Sequence, residues 1–104
     1  MEKKLLKIIN HYGVDHQQRK LEEEVFELNK AITQMEYPAI GHKPDDLKMM
    51  EKGHIEEEVG DVLNVLYQFI LYYELDMNNI IKGRIFKVDR TLGDIEKWVI
   101  YLNG

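Results

Sequence analysis

Along most of the chain, apolar residues recur at steps of three and four. Leu21, Val25, Leu28, Ile32 and Met35 form one series, and Ile55, Val59, Val62, Leu66, Phe69 and Tyr73 form a second. A third, Ile81, Ile85, Val88, Leu92, Ile95, Val99 and Leu102, runs towards the C-terminus. Such spacing puts one apolar side chain per turn on a single helix face, whereas a half-buried strand alternates every second residue. The opening stretch MEKKLLKIINHY adds a short amphipathic segment. The pattern predicts four helices, over residues 2–12, 16–36, 51–74 and 77–102, and so an all-α fold in one domain, 1–104. Both prolines fall in YPAIGHKPDD, which predicts the main loop, and Pro44 before Asp45 and Asp46 suits the start of a short helical turn before Gly53. Gly83 and Gly93 each weaken the last helix by about 1 kcal/mol relative to alanine, so a bend or break is expected there. The third helix is apolar on more than one face after Asp61, because Leu63, Val65, Ile70 and Tyr72 lie off its main stripe. In a domain this thin, that second apolar side is expected to meet another subunit.

Composition narrows the partners. The chain has 104 residues and no cysteine, which excludes a disulfide framework and any thiolate metal site and is natural for a reducing cytoplasm. The longest apolar run, VLNVLYQFILYY, is interrupted by Asn64 and Gln68 and falls short of a membrane span. The basic and apolar N-terminal stretch is broken by Lys7 and has no small-residue cleavage site after it, so it is read as a mature helix of a soluble protein. A net charge of -5 leaves no basic excess to replace counterions along a nucleic acid polymer. An anionic ligand would need a local solution, such as a bound cation.

Two octets are nearly the same: LEEEVFEL at residues 21–28 and IEEEVGDV at residues 55–62. At about 100° per residue, Glu24 and Glu27 lie along one shoulder of the apolar stripe begun by Leu21, and Glu58 and Asp61 stand in the same relation to the stripe begun by Ile55. Antiparallel packing of the second and third helices would let the two shoulders face each other and gather four carboxylates. Charged together beside a core, they would raise one another's pKa by repulsion and desolvation, and a hard divalent cation removes that cost. Oxygen-only ligands suit magnesium or manganese better than zinc or copper. A single ExxE is more often a solvated helix face. The repeat on matched shoulders favours a metal site at Glu24, Glu27, Glu58 and Asp61, with Glu22, Glu23, Glu56 and Glu57 pointing away, Glu23 alone among these keeping a role in support of the ligands.

EEVFE at Glu23 to Glu27, followed by EVGD at Glu58 to Asp61, resembles the EExxE...ExxD signature of the MazG-like, all-alpha nucleoside triphosphate pyrophosphohydrolases. The resemblance runs from HYGVDHQQRK to the basic residues of the last helix. It implies a four-helix MazG-like bundle that assembles as a dimer or dimer of dimers, with magnesium on the four named carboxylates. It also implies hydrolysis between the alpha and beta phosphates of a nucleoside triphosphate, giving monophosphate and pyrophosphate. The link between the two motifs is longer than is usual in the family, which leaves room for a lid between Pro38 and Gly53.

Metal ions that bridge carboxylates and phosphates can neutralise the substrate and acidify the attacking water, so no nucleophilic side chain is required. Glu23, or a metal-bound carboxylate such as Glu24, is the candidate proton acceptor. Gln17 and Lys20 share one strip of the second helix with Glu24 and Glu27; Gln17 could meet a base edge and Lys20 a phosphate, or both could face solvent. Arg84 and Lys87 occupy the equivalent shoulder of the last helix, with Arg90 three residues on. The stretch KVDR is similar to the family's phosphate-contacting basic positions. Asn64 is a candidate sugar contact or a support for Asp61. The four histidines, His11, His16, His42 and His54, are read as ordinary helix-end or loop residues, and the aromatic residues as core or interface, with Trp98 an outside candidate for stacking. Two other readings are a non-catalytic helical assembly module and a redox-metal protein, the latter disfavoured because the chain does not carry the two Glu-x-x-His motifs of such bundles.

Overall fold

The computed structural model describes residues 1–37 and 44–103, with side chains given for all of these except 44–48. It contains four helices in chain order: α1 Glu2–Tyr12, α2 Val14–Glu36, α3 Pro44–Tyr72 and α4 Met77–Asn103. No strand occurs among the described residues. The fold is all-α, as the three-and-four spacing implies.

Several boundaries differ from those expected. α2 begins at Val14 rather than residue 16, because Gly13 turns the chain within a single residue. Its φ of 88° and ψ of 162° lie in a region that is essentially closed to residues with a Cβ. The Gly13 N–H still donates to the Ile9 carbonyl at 2.8 Å, while its own carbonyl accepts from Gln17 N–H at 3.1 Å, so one glycine closes α1 and opens α2. α3 starts at Pro44 and runs unbroken through Gly53, in place of a short turn followed by a separate helix. Proline suits that first position because the N–H it lacks would have no helical acceptor there. The lid expected between Pro38 and Gly53 lies outside the described residues over 38–43 and is part of a helix after that. α4 passes through Gly83 and Gly93 without interruption, so their propensity cost is absorbed. Asp76 caps α4, its Oδ1 accepting from the N–H of Asn78 at 2.8 Å and of Asn79 at 3.2 Å.

Residues 1–73 form one compact unit and residues 74–104 a second. In the first, α3 packs against both α2 and α1. Its buried positions follow a seven-residue step: Gln17, Glu24 and Ala31 on α2, with Val65 and Gln68 on α3 and half-buried Glu58 and Glu51 one and two heptads before Val65. The expected stripes sit elsewhere. Val25 and Ile32 on α2, and Val59, Leu66 and Tyr73 on α3, are exposed. Val65, expected to face another subunit, belongs to this unit's own core with Leu5, Ile9 and Ala31. The other stripe residues, Leu21, Leu28, Met35, Ile55, Val62 and Phe69, are half-buried, so the packed face lies between the apolar stripe and the polar shoulder, and this brings Glu24 and Glu58 to the site. In the second unit, α4 has no buried residue, and Arg84, Lys87, Arg90 and Trp98 are all exposed.

Candidate active site

Antiparallel pairing of α2 and α3 fixes which residues meet. Gln17 touches Gln68 at one level, and seven residues along each helix Glu24 meets Asp61 at the next. Glu24, Glu58 and Asp61 each offer a carboxylate oxygen, and the three oxygens lie within 4.8 Å of one another. Glu27, the fourth expected ligand, is half-buried on α2 and stands outside that cluster. Glu22, Glu23, Glu56 and Glu57 are exposed, as expected.

The charges are only partly compensated. Glu24 is 8% exposed, and its Oε1 lies 3.0 Å from Lys20 Nζ, which also approaches Glu23 at 3.7 Å. The hydrogen bond to Glu24, helped by the field of both glutamates, raises the Lys20 ammonium above its ordinary pKa, so Lys20 stays cationic throughout the neutral range. Glu58 Oε1 lies 3.4 Å from His54 Nε2, and Glu51 Oε2 lies 3.5 Å from His54 Nδ1. Glu58 Oε2 and Glu51 Oε2 are buried without any hydrogen-bond partner. A buried carboxylate oxygen with nothing to accept from is costly unless a cation meets it. With three oxygen donors converging and one orphaned beside them, the residues fit a hard divalent ion.

A cleft of about 470 Å³ opens beside this cluster, running between α1, α2 and α3. Lys20, Glu23, Glu24 and Asp61 line its charged end, while Tyr12, His16, Gln17 and Gln68 line the other, with Asn64 on α3 between Asp61 and Gln68. Gln17, expected either at a base edge or in solvent, is 3% exposed and donates from Nε2 to Gln68 Oε1 at 2.7 Å. His16 Nδ1 lies 2.7 Å from Gln17 Oε1, and the His16 ring stacks on Tyr12 at 4.6 Å between centroids. Sequence reasoning passed over His16, His54, Glu51 and Gln68. The seven-residue step from Asp61 to Gln68, mirroring Gln17 to Glu24, was the available signal. His42 lies outside the described residues.

Arg84, Lys87 and Arg90 are spaced along α4, with the Arg90 guanidinium 6.0 Å from the centre of the Phe86 ring. The described residues contain no helix long and apolar enough to cross a membrane.

The span that carries these helices matches a known domain: the MazG nucleotide pyrophosphohydrolase domain aligns with residues 14–95. The chain belongs to the MazG family. No curated protein and no solved structure matches it significantly. The matched span covers α2, α3 and most of α4, so it contains the whole carboxylate cluster and all but the α1 wall of the cleft. Membership in MazG carries nucleotide pyrophosphohydrolase chemistry in general, and the acidic cluster agrees with the family's use of divalent metal.

Proposed function

We propose that this MazG domain hydrolyses nucleoside triphosphates to monophosphate and pyrophosphate with magnesium, or manganese in its place, held by Glu24, Glu27, Glu58 and Asp61. The observation that carries this reading is the convergence of Glu24, Glu58 and Asp61 beside the buried, unpartnered Glu58 Oε2, at the mouth of a cleft large enough for a nucleoside. Glu27, one turn beyond Glu24, is the ligand that would turn in when the ion binds. The bound ion supplies charge neutralisation for the phosphates and a lowered pKa for the attacking water.

The protein's own groups do the rest. Glu23, exposed at the cleft rim, or Glu24 accepts the proton from that water. Lys20, held cationic by Glu24, meets a phosphate oxygen. Asn64, between the carboxylates and the amides, reaches the sugar, and Gln17 supports the base end. Arg84, Lys87 and Arg90 contact the distal phosphates, so that pyrophosphate departs with its charge neutralised. The role that fits is nucleotide-pool housekeeping in the cytoplasm by a homodimer or homotetramer.

Hydrolysis in water enriched in heavy oxygen tests the reaction. Monophosphate and pyrophosphate should appear together with little orthophosphate, and the label should be in one of the first two. Label found mainly in orthophosphate would mean attack at the gamma phosphate and would overturn the assignment.

A further inference from the structure

Hydrogen bonds at the inner end of the cleft have a direction. Gln17 Oε1 has no proton to give, so their 2.7 Å contact is a hydrogen bond in the tautomer that carries its hydrogen on His16 Nδ1. In this arrangement the Gln17 amide has its oxygen towards His16 and its nitrogen towards α3, where Nε2 donates to Gln68 Oε1 at 2.7 Å. Gln68 is then fixed in turn: its oxygen is engaged and its Nε2, with two hydrogens, is left over. Gln68 is 3% exposed, lines the cleft, and its Nε2 has no partner among the described residues. This donor, on a side chain that lines the cleft seven residues and so about 10 Å along α3 from Asp61, is open to an acceptor on whatever fills the cleft. Stacking of Tyr12 on His16 holds the ring that begins the relay.

We infer that Gln68 determines base specificity by donating to a carbonyl on the base edge, its polarity set by His16 and Gln17, so that the cleft favours keto bases over their amino counterparts. The inference rests on the nucleotide reading of the cleft. Uracil or hypoxanthine presents a carbonyl oxygen where cytosine or adenine presents an amino group. Gln68 Nε2 meets the first with a hydrogen bond and the second with two donors opposed. A donor that the ligand covers and leaves unmatched lowers affinity by roughly ten- to a hundredfold.

Binding of nucleoside monophosphates, measured calorimetrically without metal, tests this apart from turnover. Uridine monophosphate should bind roughly tenfold or more tightly than cytidine monophosphate, or inosine than adenosine monophosphate if the cleft takes purines. Gln68→Glu keeps the contact with Gln17 but replaces the donor by an acceptor, so the preference should invert. Gln68→Met removes the donor and should bring the paired ligands to near equality. A residue that only braced the fold would weaken all ligands alike. Equal binding of the paired ligands to the unaltered protein, no binding of any, or a uniform loss in both variants would each overturn the inference. If the unaltered protein keeps the keto preference yet releases no pyrophosphate from any triphosphate, the reaction assignment fails and the base reading stands. Pyrophosphate release with no keto preference has the opposite meaning.

Discussion

Glu24 is almost wholly buried, shares its Oε1 with Lys20, and lies within reach of two more carboxylates, so one ammonium faces a cluster of three carboxylates. Alanine at Glu24, Glu58 or Asp61 should therefore abolish metal-dependent turnover while leaving helicity intact, because each change removes a ligand and also relieves repulsion in the metal-free protein. Glu22→Ala or Glu56→Ala should change neither. Calorimetric magnesium titration with circular dichroism checks both halves, and unaltered magnesium affinity in Glu58→Ala would refute the site. Lys20 makes the opposite case. Its ammonium occupies the neighbourhood a divalent ion would enter, so Lys20→Met should tighten magnesium binding in the absence of nucleotide while raising KM for the triphosphate. Its effect on stability should stay under about 1 kcal/mol, since the Lys20 side chain is 40% exposed and its ion pairs are screened. Weaker magnesium binding in Lys20→Met would count against that placement. The carboxylates were legible in the sequence because their motif repeats on two helices. His16 and Gln68 were not, because a single histidine or glutamine shows its role only when a partner 51 residues away, as Gln68 is from Gln17, fixes its orientation.

At the scale of elements, the three-and-four spacing located every helix but misassigned the faces of two. On α2 and α3 the apolar series reads as the core side, yet packing follows the heptad positions at Gln17, Glu24 and Ala31 and at Glu58 and Val65, which carry much of the polar chemistry. The usual inference from an apolar stripe to an inward face holds only in part: Leu21, Leu28, Ile55 and Val62 are half-buried, while Val25, Ile32, Val59 and Leu66 are exposed beside an enclosed face rich in polar groups. The link between α1 and α2 is a different kind of device. At Gly13 a Cβ would meet nothing within 4 Å, so the residue is required by conformation and not by space. Gly13→Ala should cost about 1–3 kcal/mol by forcing a side chain into a glycine-only region. Because Tyr12 and His16 flank that turn, the cost should reach the cleft as well. Thermal unfolding should show a lowered Tm, and nucleotide monophosphate binding should fall by more than magnesium binding, whose ligands lie on α2 and α3. A Gly13→Ala protein as stable as the original would show that the turn relaxes freely.

For the whole molecule the decisive quantity is how little apolar surface the described residues bury. Leu5, Ile9, Ala31 and Val65 are the buried apolar residues of the first unit, and α4 buries none of Ile81, Ile85, Val88, Leu92, Ile95, Val99 or Leu102. Small domains are already marginal at this length, and a stripe of exposed branched side chains along a 27-residue helix is far from what a stable isolated helix presents to water. Assembly of copies would cover these stripes, as the homo-oligomer proposed above requires. Sedimentation at micromolar concentration should therefore show a dimer or tetramer and no substantial monomer. Leu63, 45% exposed on α3, and Leu92, 52% exposed on α4, offer the sharper test. Were these positions facing water, Leu63→Glu and Leu92→Glu would each fall within about 0.5 kcal/mol of neutral. Were they buried between subunits, each would place an unpaired carboxylate in an apolar contact, shift sedimentation towards monomer and make Tm strongly dependent on protein concentration. A stable monomer of the unaltered chain, or two glutamate variants that assemble and melt as it does, would overturn the oligomer and leave the exposed stripes of α3 and α4 without a role.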